Sequence, residues 1–470
     1  MLGRVFKAYD IRGVYGDLLT DMMAWQIGFG SARYLLEDAA AAGQTTPMMR
    51  NVVVGRDMRT SSPTLSERVI TGIRTYGASV IDLGLVDTPM IVFAVNHLDC
   101  AGGVMVTASH NPPQYNGMKI CKRLGKPVGE ATGLAEVRKH AAMADRNAEP
   151  KEGTSVDQRD LWQAYAEHVL QFLDLGGKSL KIVVDASNGM AGTMIPKIFG
   201  RKGEKVDGLE IIPLNFDNSK GEFVHEPNPL VASNLVQLQE AVLKHKADIG
   251  LCFDGDADRC AAVDERGEIV GCDMMTALLA PYFLGQNAGK GAVIYDLRST
   301  RAVPEDIERA GGTPVRGRVG HVFMKQTLAE SGGPFGGELS GHFYFRDNFN
   351  ADSGAIAMAS FLTVLAGAGK PLSELIAPIA RYHQSGEINF EIEEKDEALR
   401  AVEDAYAERC DIDDLDGITI DAFDTEGWWA NIRKSNTEPF LRLNAEAKSA
   451  GQLSTIIEEL SPMLGKRVEH

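Results

Sequence analysis

The chain has 470 residues, of which 44% are hydrophobic and 24% are charged, and its formal net charge is -17. These proportions are ordinary for a globular protein, and the length predicts roughly three to four domains. The acidic balance argues against nucleic acid as a partner, because phosphate backbones are bound through clustered Lys and Arg.

Nothing in the sequence indicates export or a membrane. The opening run M-L-G-R-V-F-K-A-Y-D-I-R-G is charged throughout and lacks a signal-peptide core. The most apolar stretch, residues 355–369, is shorter than the about 20 residues of a membrane span and predicts a buried helix. Six cysteines form no C-x-x-C pair or zinc-like grouping, which favours free thiols. We therefore expect a cytoplasmic protein with no membrane partner.

Three β-branched runs that end in Asp predict strands buried in parallel sheets. They are V-V-V-G-R-D at 52–57, I-V-V-D-A-S at 182–187 and V-I-Y-D-L-R at 293–298. After the first run, Ser62 is predicted to cap a helix that has Pro63 at its first position and ends near Gly77. The domain-sized spacing of the runs predicts three similar α/β units, and one large α/β sheet is the alternative.

The run T-A-S-H-N-P-P-Q-Y-N-G-M-K-I at 107–120 predicts a tight loop after a strand. Such a loop can present the hydroxyl of Ser109 to solvent. His110 and Lys119 would place cationic groups beside that hydroxyl and stabilise a phosphate carried on it. A turn-forming serine is the alternative, and a Ser-His-Asp hydrolase is disfavoured because the chain has no G-x-S-x-G elbow.

The run D-G-D-A-D-R at 254–259 directly follows a strand-like segment and predicts a metal site. Gly255 would let the backbone bend so that Asp254, Asp256 and Asp258 converge, and their oxygens suit Mg²⁺ or a similar hard cation. Arg259 adds a fixed positive charge beside them.

Three other readings of the acidic run are weaker. An EF-hand is disfavoured because Arg259 stands where that loop needs Gly, and because a strand precedes it. A phosphatase with Asp254 as nucleophile leaves the Ser109 loop unexplained. A solvated acidic turn that binds no metal is the third alternative.

Two later runs have the composition of ligand-binding loops. G-G-E-L-S-G-H at 336–342 can turn Glu338, Ser340 and His342 toward sugar hydroxyls, although an ordinary turn is equally consistent. R-K-S-N-T-E-P-F at 433–440 concentrates donors for a phosphate. Those donors are Arg433, Ser435, Asn436 and Thr437.

The end of the chain predicts a different architecture. Strand-like runs at 418–423, 428–433 and 441–446 lie close together, with helical patterns at 399–406 and 453–460. This arrangement favours an antiparallel α+β domain.

Taken in chain order, five runs resemble the α-D-phosphohexomutase superfamily, and most closely its bacterial phosphomannomutase/phosphoglucomutase branch. The runs are F-K-A-Y-D-I-R-G at 6–13, T-A-S-H-N-P, D-G-D-A-D-R, G-E-L-S-G-H and R-K-S-N-T-E-P. The first run and the pair Leu339-Ser340 favour this branch over phosphoglucosamine mutases, which usually open with G-T-D-G-I-R-G. The chain departs from the family pattern at Ala257, where Gly is commoner, and at R-V-G-H 318–321, where K-T-G-H is frequent.

The resemblance implies a fold of four domains around a central cleft, each supplying one motif. Three are similar mixed α/β domains and the last is antiparallel α+β. The expected domains are 1–153 with the phosphoserine loop, 154–266 with the metal loop, 267–380 with the sugar-binding loop, and 381–470 with the phosphate-binding loop.

The resemblance also implies roles for single residues. Ser109 would carry the phosphoryl group and, with Asp254, Asp256 and Asp258, would hold Mg²⁺. The other catalytic residues would be His110, Lys119, Arg259 and His321. Substrate would be bound by Tyr9, Arg12, Glu338, Ser340, His342, Arg433, Ser435, Asn436 and Thr437. Lys119, His321 and His342 are the candidates for general acid and base.

The implied enzyme is an isomerase that interconverts hexose 1-phosphates and 6-phosphates of mannose, glucose or both. It would work through a phosphoserine and a 1,6-bisphosphate, with glucose 1,6-bisphosphate or mannose 1,6-bisphosphate as activator. The expected partners are therefore small hexose phosphates. The alternatives are a phosphoglucosamine mutase and a non-catalytic sugar-phosphate-binding protein, and the presence of Ser109 with all three Asp argues against the latter.

Overall fold

The computed structural model describes residues 2–200, 203–435 and 440–468. One compact unit, unit 1, comprises the chain up to Gly271 together with Ser340–Ser373. Unit 2 comprises Cys272–Leu339 together with the chain from Glu374 onward. All six cysteines are free thiols, as predicted. Within the described ranges no helix combines the length and the apolar run that crossing a membrane requires.

Unit 1 opens with a seven-stranded mixed sheet. Its strands are β1 Ile11–Val14, β2 Asn51–Arg56, β3 Ser79–Leu85, β4 Gly102–Val106, β5 Tyr115–Lys122, β6 Lys126–Pro127 and β7 Val156–Gln158. Its helices are α1 Asp21–Ala41, α2 Ser62–Tyr76, α3 Thr88–His97 and α4 Leu134–Ala142. The strand order is β1-β5-β4-β2-β3-β7 with β6 beside β5; β2 pairs parallel with β3 and β4, and β5 pairs antiparallel with β1 and β4.

The valines of β2 form a strand because both faces of the sheet are covered. Val52 and Val54 belong to one buried core with Leu65 and Val69 of α2, so the predicted strand and helix are both confirmed. The predicted cap of α2 is wrong by one residue. Ser61 precedes the helix, and the hydroxyl of Ser62 donates to an Asp57 oxygen at 2.5 Å instead of capping it.

A five-stranded sheet follows in unit 1. Its elements are α5 Trp162–Leu170, β8 Leu180–Asp185, α6 Ala191–Ile198, β9 Leu209–Leu214, α7 Val236–His245, β10 Ile249–Phe253, β11 Cys260–Asp264 and β12 Ile269–Val270. The order is β12-β11-β10-β8-β9, with β8 parallel to β9 and β10 and with β11 antiparallel to β10. The predicted buried strands before the acidic run and at 182–187 are therefore confirmed.

Unit 2 begins with a third set of parallel strands. Its elements are α8 Cys272–Gln286, β13 Ala292–Asp296, α9 Ala302–Arg309, β14 Thr313–Gly317, α10 His321–Ser331 and β15 Phe335–Gly337. Strand β13, predicted from V-I-Y-D-L-R, pairs parallel with both β14 and β15.

The chain then returns to unit 1 with the antiparallel pair β16 Phe343–Phe345 and β17 Ala351–Asp352 and with α11 Gly354–Ala368. Helix α11 is the predicted buried helix, and its Ser360 satisfies its hydroxyl on the carbonyl of Ile356 at 2.8 Å. The short helix α12 spans Leu372–Ile376.

The end of unit 2 is an antiparallel six-stranded sheet. Its elements are β18 His383–Glu391, α13 Lys395–Tyr406, β19 Asp411–Asp413, β20 Ile418–Ala422, β21 Trp428–Lys434, β22 Phe440–Ala447, α14 Ala450–Leu464 and β23 Lys466–Val468. Phe390, Val402, Trp428 and Leu460 share its buried core, which joins both helices to the sheet. The predicted α+β architecture is confirmed. The sequence did not predict β18, whose register is broken by a bulge between Gln384 and Glu387.

Short 3-10 helices lie at Leu2–Arg4, Pro47–Arg50, Arg123–Gly125, Glu130–Thr132, Ala232–Leu235 and Arg346–Asn348.

Candidate active site

Ser109 lies in the loop between β4 and β5 and faces the acidic run of the second sheet. Its Oγ donates to Asp254 Oδ2 at 2.8 Å, and only 1% of the residue is exposed. The expectation of a solvent-exposed hydroxyl is therefore wrong. The reason is close packing between the two loops, because a Cβ added at Gly255 would lie 2.3 Å from the Ser109 carbonyl oxygen.

The three carboxylates of the acidic run converge in the turn between β10 and β11. Asp254, Asp256 and Asp258 are buried, and one oxygen from each lies within 4.8 Å of the others. Burial and the two neighbouring carboxylates raise the pKa of Asp254 well above its usual value. The Oδ1 atoms of Asp256 and Asp258 are buried without a hydrogen-bond partner among the described residues. Buried anionic oxygens short of donors fit a hard divalent cation.

The bend that brings these carboxylates together was assigned to the wrong residue. Ala257, not Gly255, has the left-handed backbone, with φ 60°. Gly255 is instead required by its approach to Ser109. Ala257, where this chain departs from the family pattern, is thus at a position that favours glycine. The left-handed backbone costs alanine there about 1–2 kcal/mol.

Lys119, on β5, supplies a positive charge inside the acidic cluster. Its Nζ donates to Asp256 Oδ2 at 2.8 Å and to Asp258 Oδ2 at 2.6 Å. Burial alone would lower the pKa of Lys119, but these carboxylates raise it overall, so the ammonium stays charged. Thr88, at the start of α3, donates a further hydrogen bond to Asp256 Oδ2 at 2.5 Å and was not predicted from the sequence.

His110 sits between the serine and Arg259. Its Nδ1 lies 3.3 Å from Ser109 Oγ and accepts a hydrogen bond from Arg259 Nη2 at 3.1 Å. Burial and the charges of Arg259, Arg12 and Lys119 hold the pKa of His110 well below its usual value. His110 is therefore neutral, and the expectation that it would be a cationic partner of a phosphate is wrong.

His342 has a close neighbour at each ring nitrogen. Arg259 Nε donates to His342 Nε2 at 3.1 Å, and His342 Nδ1 lies 2.9 Å from an oxygen of Asp352. Only the contact with Arg259 has hydrogen-bond geometry among the described residues, since Nδ1 has no hydrogen-bond partner there. Asp352, at the end of β17, was not predicted from the sequence, which offered no motif to separate it from other aspartates.

The first predicted run contributes two further residues to unit 1. Arg12, on β1, donates to the side chains of Asn111 in the serine loop and Asp10. Tyr9 is half-buried in the segment before β1. Unit 1 therefore brings the serine loop, the acidic run, Lys119 and His342 into one cluster.

Unit 2 contains a cluster of opposite charge. Arg433, at the end of β21, donates to Glu387 Oε2 at 2.6 Å, and Arg442 donates to Glu387 Oε1 at 2.8 Å. Arg298 lies 3.8 Å from the same carboxylate. Burial and the neighbouring Arg298 lower the pKa of Arg433 to about 10. Guanidinium groups in excess over carboxylate suit a dianion such as phosphate.

The sequence predicted only Arg433 of this group. Arg298 could have been found, since it follows β13 in the polar end of the V-I-Y-D-L-R run. Glu387 and Arg442 carry no sequence signal of their own. Ser435 donates its backbone N–H to Phe440 at 2.9 Å, and the predicted Asn436 and Thr437 lie outside the described residues.

The sugar-binding run is divided between the units. In unit 2, Glu338 is buried and accepts a hydrogen bond from the backbone N–H of Gly320 at 2.9 Å, which places it beside the R-V-G-H run and His321, the first residue of α10. In unit 1, Ser340 Oγ is buried and has no hydrogen-bond partner among the described residues.

Four domain families cover most of the chain. Domains I, II and III of phosphoglucomutase/phosphomannomutase, described as alpha/beta/alpha, match residues 3–147, 163–267 and 272–382, and the C-terminal domain of the same family matches residues 387–462.

Known proteins match over nearly the whole length. The chain is 38% identical over 470 residues to the phosphohexose mutases of Xanthomonas campestris, covering 98% of each chain. It is 36% identical to the phosphomannomutase of Escherichia coli, covering 94% of each. The crystal structure of a phosphoglucomutase/phosphomannomutase family protein from Burkholderia thailandensis is 32% identical, with a TM-score of 0.85 over 98% of this chain and 96% of that one.

Proposed function

The chain belongs to the phosphoglucomutase/phosphomannomutase family and is a hexose-phosphate mutase, and we propose that its turnover runs through a phosphoserine at Ser109. The observation that carries the proposal is the 2.8 Å hydrogen bond from Ser109 Oγ to Asp254. It joins a single buried hydroxyl to a cluster of carboxylates suited to a metal ion.

In the proposed reaction, the phosphoryl group on Ser109 moves to the free hydroxyl of a bound hexose phosphate. The P–O bond to Ser109 breaks, a P–O bond to the sugar oxygen forms, and the proton of the sugar hydroxyl passes by way of the general base to Ser109 Oγ. The resulting 1,6-bisphosphate reverses its orientation, and its other phosphoryl group is transferred to Ser109. The net change interconverts 1-phosphate and 6-phosphate, and glucose 1,6-bisphosphate or mannose 1,6-bisphosphate primes the enzyme.

The metal ligands in this proposal are Asp254, Asp256, Asp258 and Ser109, and the ion is Mg²⁺. The support is the set of buried carboxylate oxygens that lack hydrogen-bond donors. When bound, the ion offsets negative charge on the transferring phosphoryl group.

The chain's own cations have distinct parts. Lys119 and Arg259 neutralise phosphoryl oxygens beside Ser109, and the raised pKa of Lys119 suits it to a lasting positive charge and not to proton transfer. His342 orients Arg259, because its Nε2 accepts a hydrogen bond from Arg259 Nε at 3.1 Å.

The substrate contacts follow the sequence prediction. Glu338 and Ser340 would bind sugar hydroxyls, and Tyr9, Arg12 and His342 would line the site. The distal phosphate would be held by Arg433, Ser435, Asn436 and Thr437, joined by Arg298 and Arg442. The sugar would be mannose, glucose or both, in line with the names of the relatives. We also propose that the chain divides into four domains, with boundaries after residues 153, 266 and 380.

A coupled assay tests the function directly. Purified protein should convert mannose 1-phosphate and glucose 1-phosphate to the 6-phosphates, faster when primed with glucose 1,6-bisphosphate, and glucosamine 1-phosphate should turn over more slowly. Ser109→Ala should lose several orders of magnitude in rate, while the exposed Ser155→Ala should not. Near wild-type turnover by Ser109→Ala would overturn the serine-centred mechanism.

A further inference from the structure

Arg59 is a guanidinium group buried beneath the serine loop, with every N–H donor matched to an acceptor. Its side chain is 0% exposed. The acceptors are the backbone carbonyls of Ser109 at 2.8 Å, Asn111 at 2.7 Å, Pro112 at 2.7 Å and Tyr115 at 3.1 Å, and Asp57 Oδ2 at 3.1 Å. One cation therefore holds three carbonyl oxygens of the serine loop and the carbonyl of Tyr115, the first residue of β5.

The Pro112 carbonyl also accepts from the backbone N–H of Tyr115 at 3.0 Å, so the carbonyls of Ser109 and Asn111 are the two that depend most on Arg59. A buried carbonyl oxygen left without a donor costs about 1–3 kcal/mol. A guanidinium can satisfy several at once because its donors fan out in one plane. Removing Arg59 would thus release the loop at several points together.

The backbone of Ser109 is strained and is fixed at both of its polar groups. Its φ is 50°, a left-handed value that costs a residue with a Cβ about 1–2 kcal/mol. Its N–H donates to Thr107 Oγ1 at 2.9 Å, and its carbonyl accepts from Arg59 Nη2. This conformation is the one in which Oγ reaches Asp254.

Arg59 itself is held in a single position. Asp57, which follows β2, accepts from Arg59 Nε and also from the Arg59 backbone N–H at 3.1 Å, and Ser62 donates to the same carboxylate. The ring of Phe223 lies 5.2 Å from the guanidinium carbon. The support is therefore rigid, as alignment of a reacting group requires.

We propose that Arg59 is a positioning residue for phosphoryl transfer, which holds the serine loop in the strained conformation that aims Ser109 Oγ at the acidic cluster. Arg59 contacts the backbone of the loop and not the Ser109 hydroxyl, so it acts through Ser109. The inference rests on the proposed role of Ser109 as the phosphoryl carrier.

Kinetics of three variants test the proposal. Arg59→Lys keeps the charge but cannot reach the carbonyls together, and kcat should fall about 100-fold while KM for the sugar phosphate stays unchanged. In Arg59→Ala, millimolar guanidinium chloride should restore part of kcat, whereas sodium chloride at equal ionic strength should not. Arg68→Lys, an exposed arginine of α2, should behave as wild type. All rates are measured well below each variant's Tm.

Hydrogen exchange gives a readout that does not depend on activity. Backbone amides of residues 107–116 should exchange faster in Arg59→Lys than in wild type, with the remainder of unit 1 unchanged. If the wild-type protein has no mutase activity but the loop still exchanges faster in Arg59→Lys, then Arg59 holds the serine loop and the proposed function is wrong. Wild-type kcat in Arg59→Lys, or a parallel change of kcat and KM with exchange raised throughout unit 1, would overturn the proposal.

Discussion

The two units contain clusters of opposite charge, and each cluster also includes groups of the other sign. In unit 1, buried carboxylates surround the ammonium of Lys119, which bonds to Asp256 and Asp258. In unit 2, guanidinium groups surround Glu387, which pairs with Arg433 and Arg442. Each internal countercharge neutralises its cluster only in part.

The difference shows what each cluster lacks. The acidic cluster has more carboxylates than cations, so it attracts a metal ion and disfavours the charged form of Asp254. The arginine cluster has more cations than carboxylates, so it attracts an anion and disfavours the charged form of Arg433. Opposite pKa shifts in the two units are thus two consequences of one arrangement.

Removing one carboxylate should break the acidic side of the comparison. In Asp256→Asn, Lys119 loses one of its two partners and the metal site loses one charge, so the rate should fall about 10³-fold. Initial rates measured against Mg²⁺ concentration should also show a higher requirement for the ion. The exposed Asp157→Asn is the control, and an unchanged rate and Mg²⁺ requirement would show that the cluster is structural.

Removing one guanidinium should act on binding instead of on chemistry. Arg433→Ala should raise KM about 10- to 100-fold in both directions with little change in kcat, because charge-assisted contacts to a distal phosphate are the same in ground and transition states. The surface variant Arg409→Ala serves as the matched control in unit 2. A selective loss of kcat would place Arg433 in the chemistry.

Neutralising Glu387, a carboxylate within the arginine cluster, should make unit 2 bind anions more strongly. Glu387→Gln removes the charge shared by Arg433 and Arg442, so inorganic phosphate should inhibit more strongly, on the order of tenfold, while the Tm falls. Inhibition constants and thermal melts with and without phosphate give both numbers. Equal inhibition of the two proteins would mean that phosphate binds elsewhere.

The sequence was informative wherever local pattern decides structure. β2, β8, β10 and β13 follow from apolar periodicity, as do β20, β21, β22 and both helices of the last domain. The convergence of the Asp triad follows from its spacing after a strand. The errors share another cause. The burial of Ser109 and the neutrality of His110 depend on which distant loop packs against them, and a sequence lists donors and acceptors without pairing them.

The same limit explains the residues that were missed. Arg59 and Glu387 carry no motif of their own, because each is defined by partners far away in the chain or on another strand. Ser62 does not cap α2 because its hydroxyl donates to Asp57, an acceptor that the helical pattern does not reveal.

The smallest expected effect is on the pH dependence of stability, through the buried carboxyl group of Glu446. Burial raises the pKa of Glu446 in unit 2 to about 7 from its usual 4.5. The folded protein keeps a proton there that the unfolded chain releases, so the stabilisation is fully present below about pH 4.5 and is lost as the pH rises to about 7.

Glu446→Gln should remove this loss while its amide oxygen still accepts from the Arg301 backbone and from the Trp429 indole. The difference in free energy of unfolding between the variant and wild type should shift in favour of the variant by on the order of 1–3 kcal/mol from about pH 5 to about pH 8. Denaturant melts at both pH values measure it, and parallel curves for the two proteins would mean that Glu446 is ionised in the fold.

Transfer of label through Ser109 tests the central claim most directly. Protein treated with glucose 1,6-bisphosphate that carries isotopically labelled phosphate should bear the label on the peptide containing Ser109. Addition of unlabelled hexose phosphate should then move the label into the sugar phosphate at a rate no slower than turnover. An absence of label from Ser109 during active turnover, or a label that stays on the serine while product forms, would contradict the account.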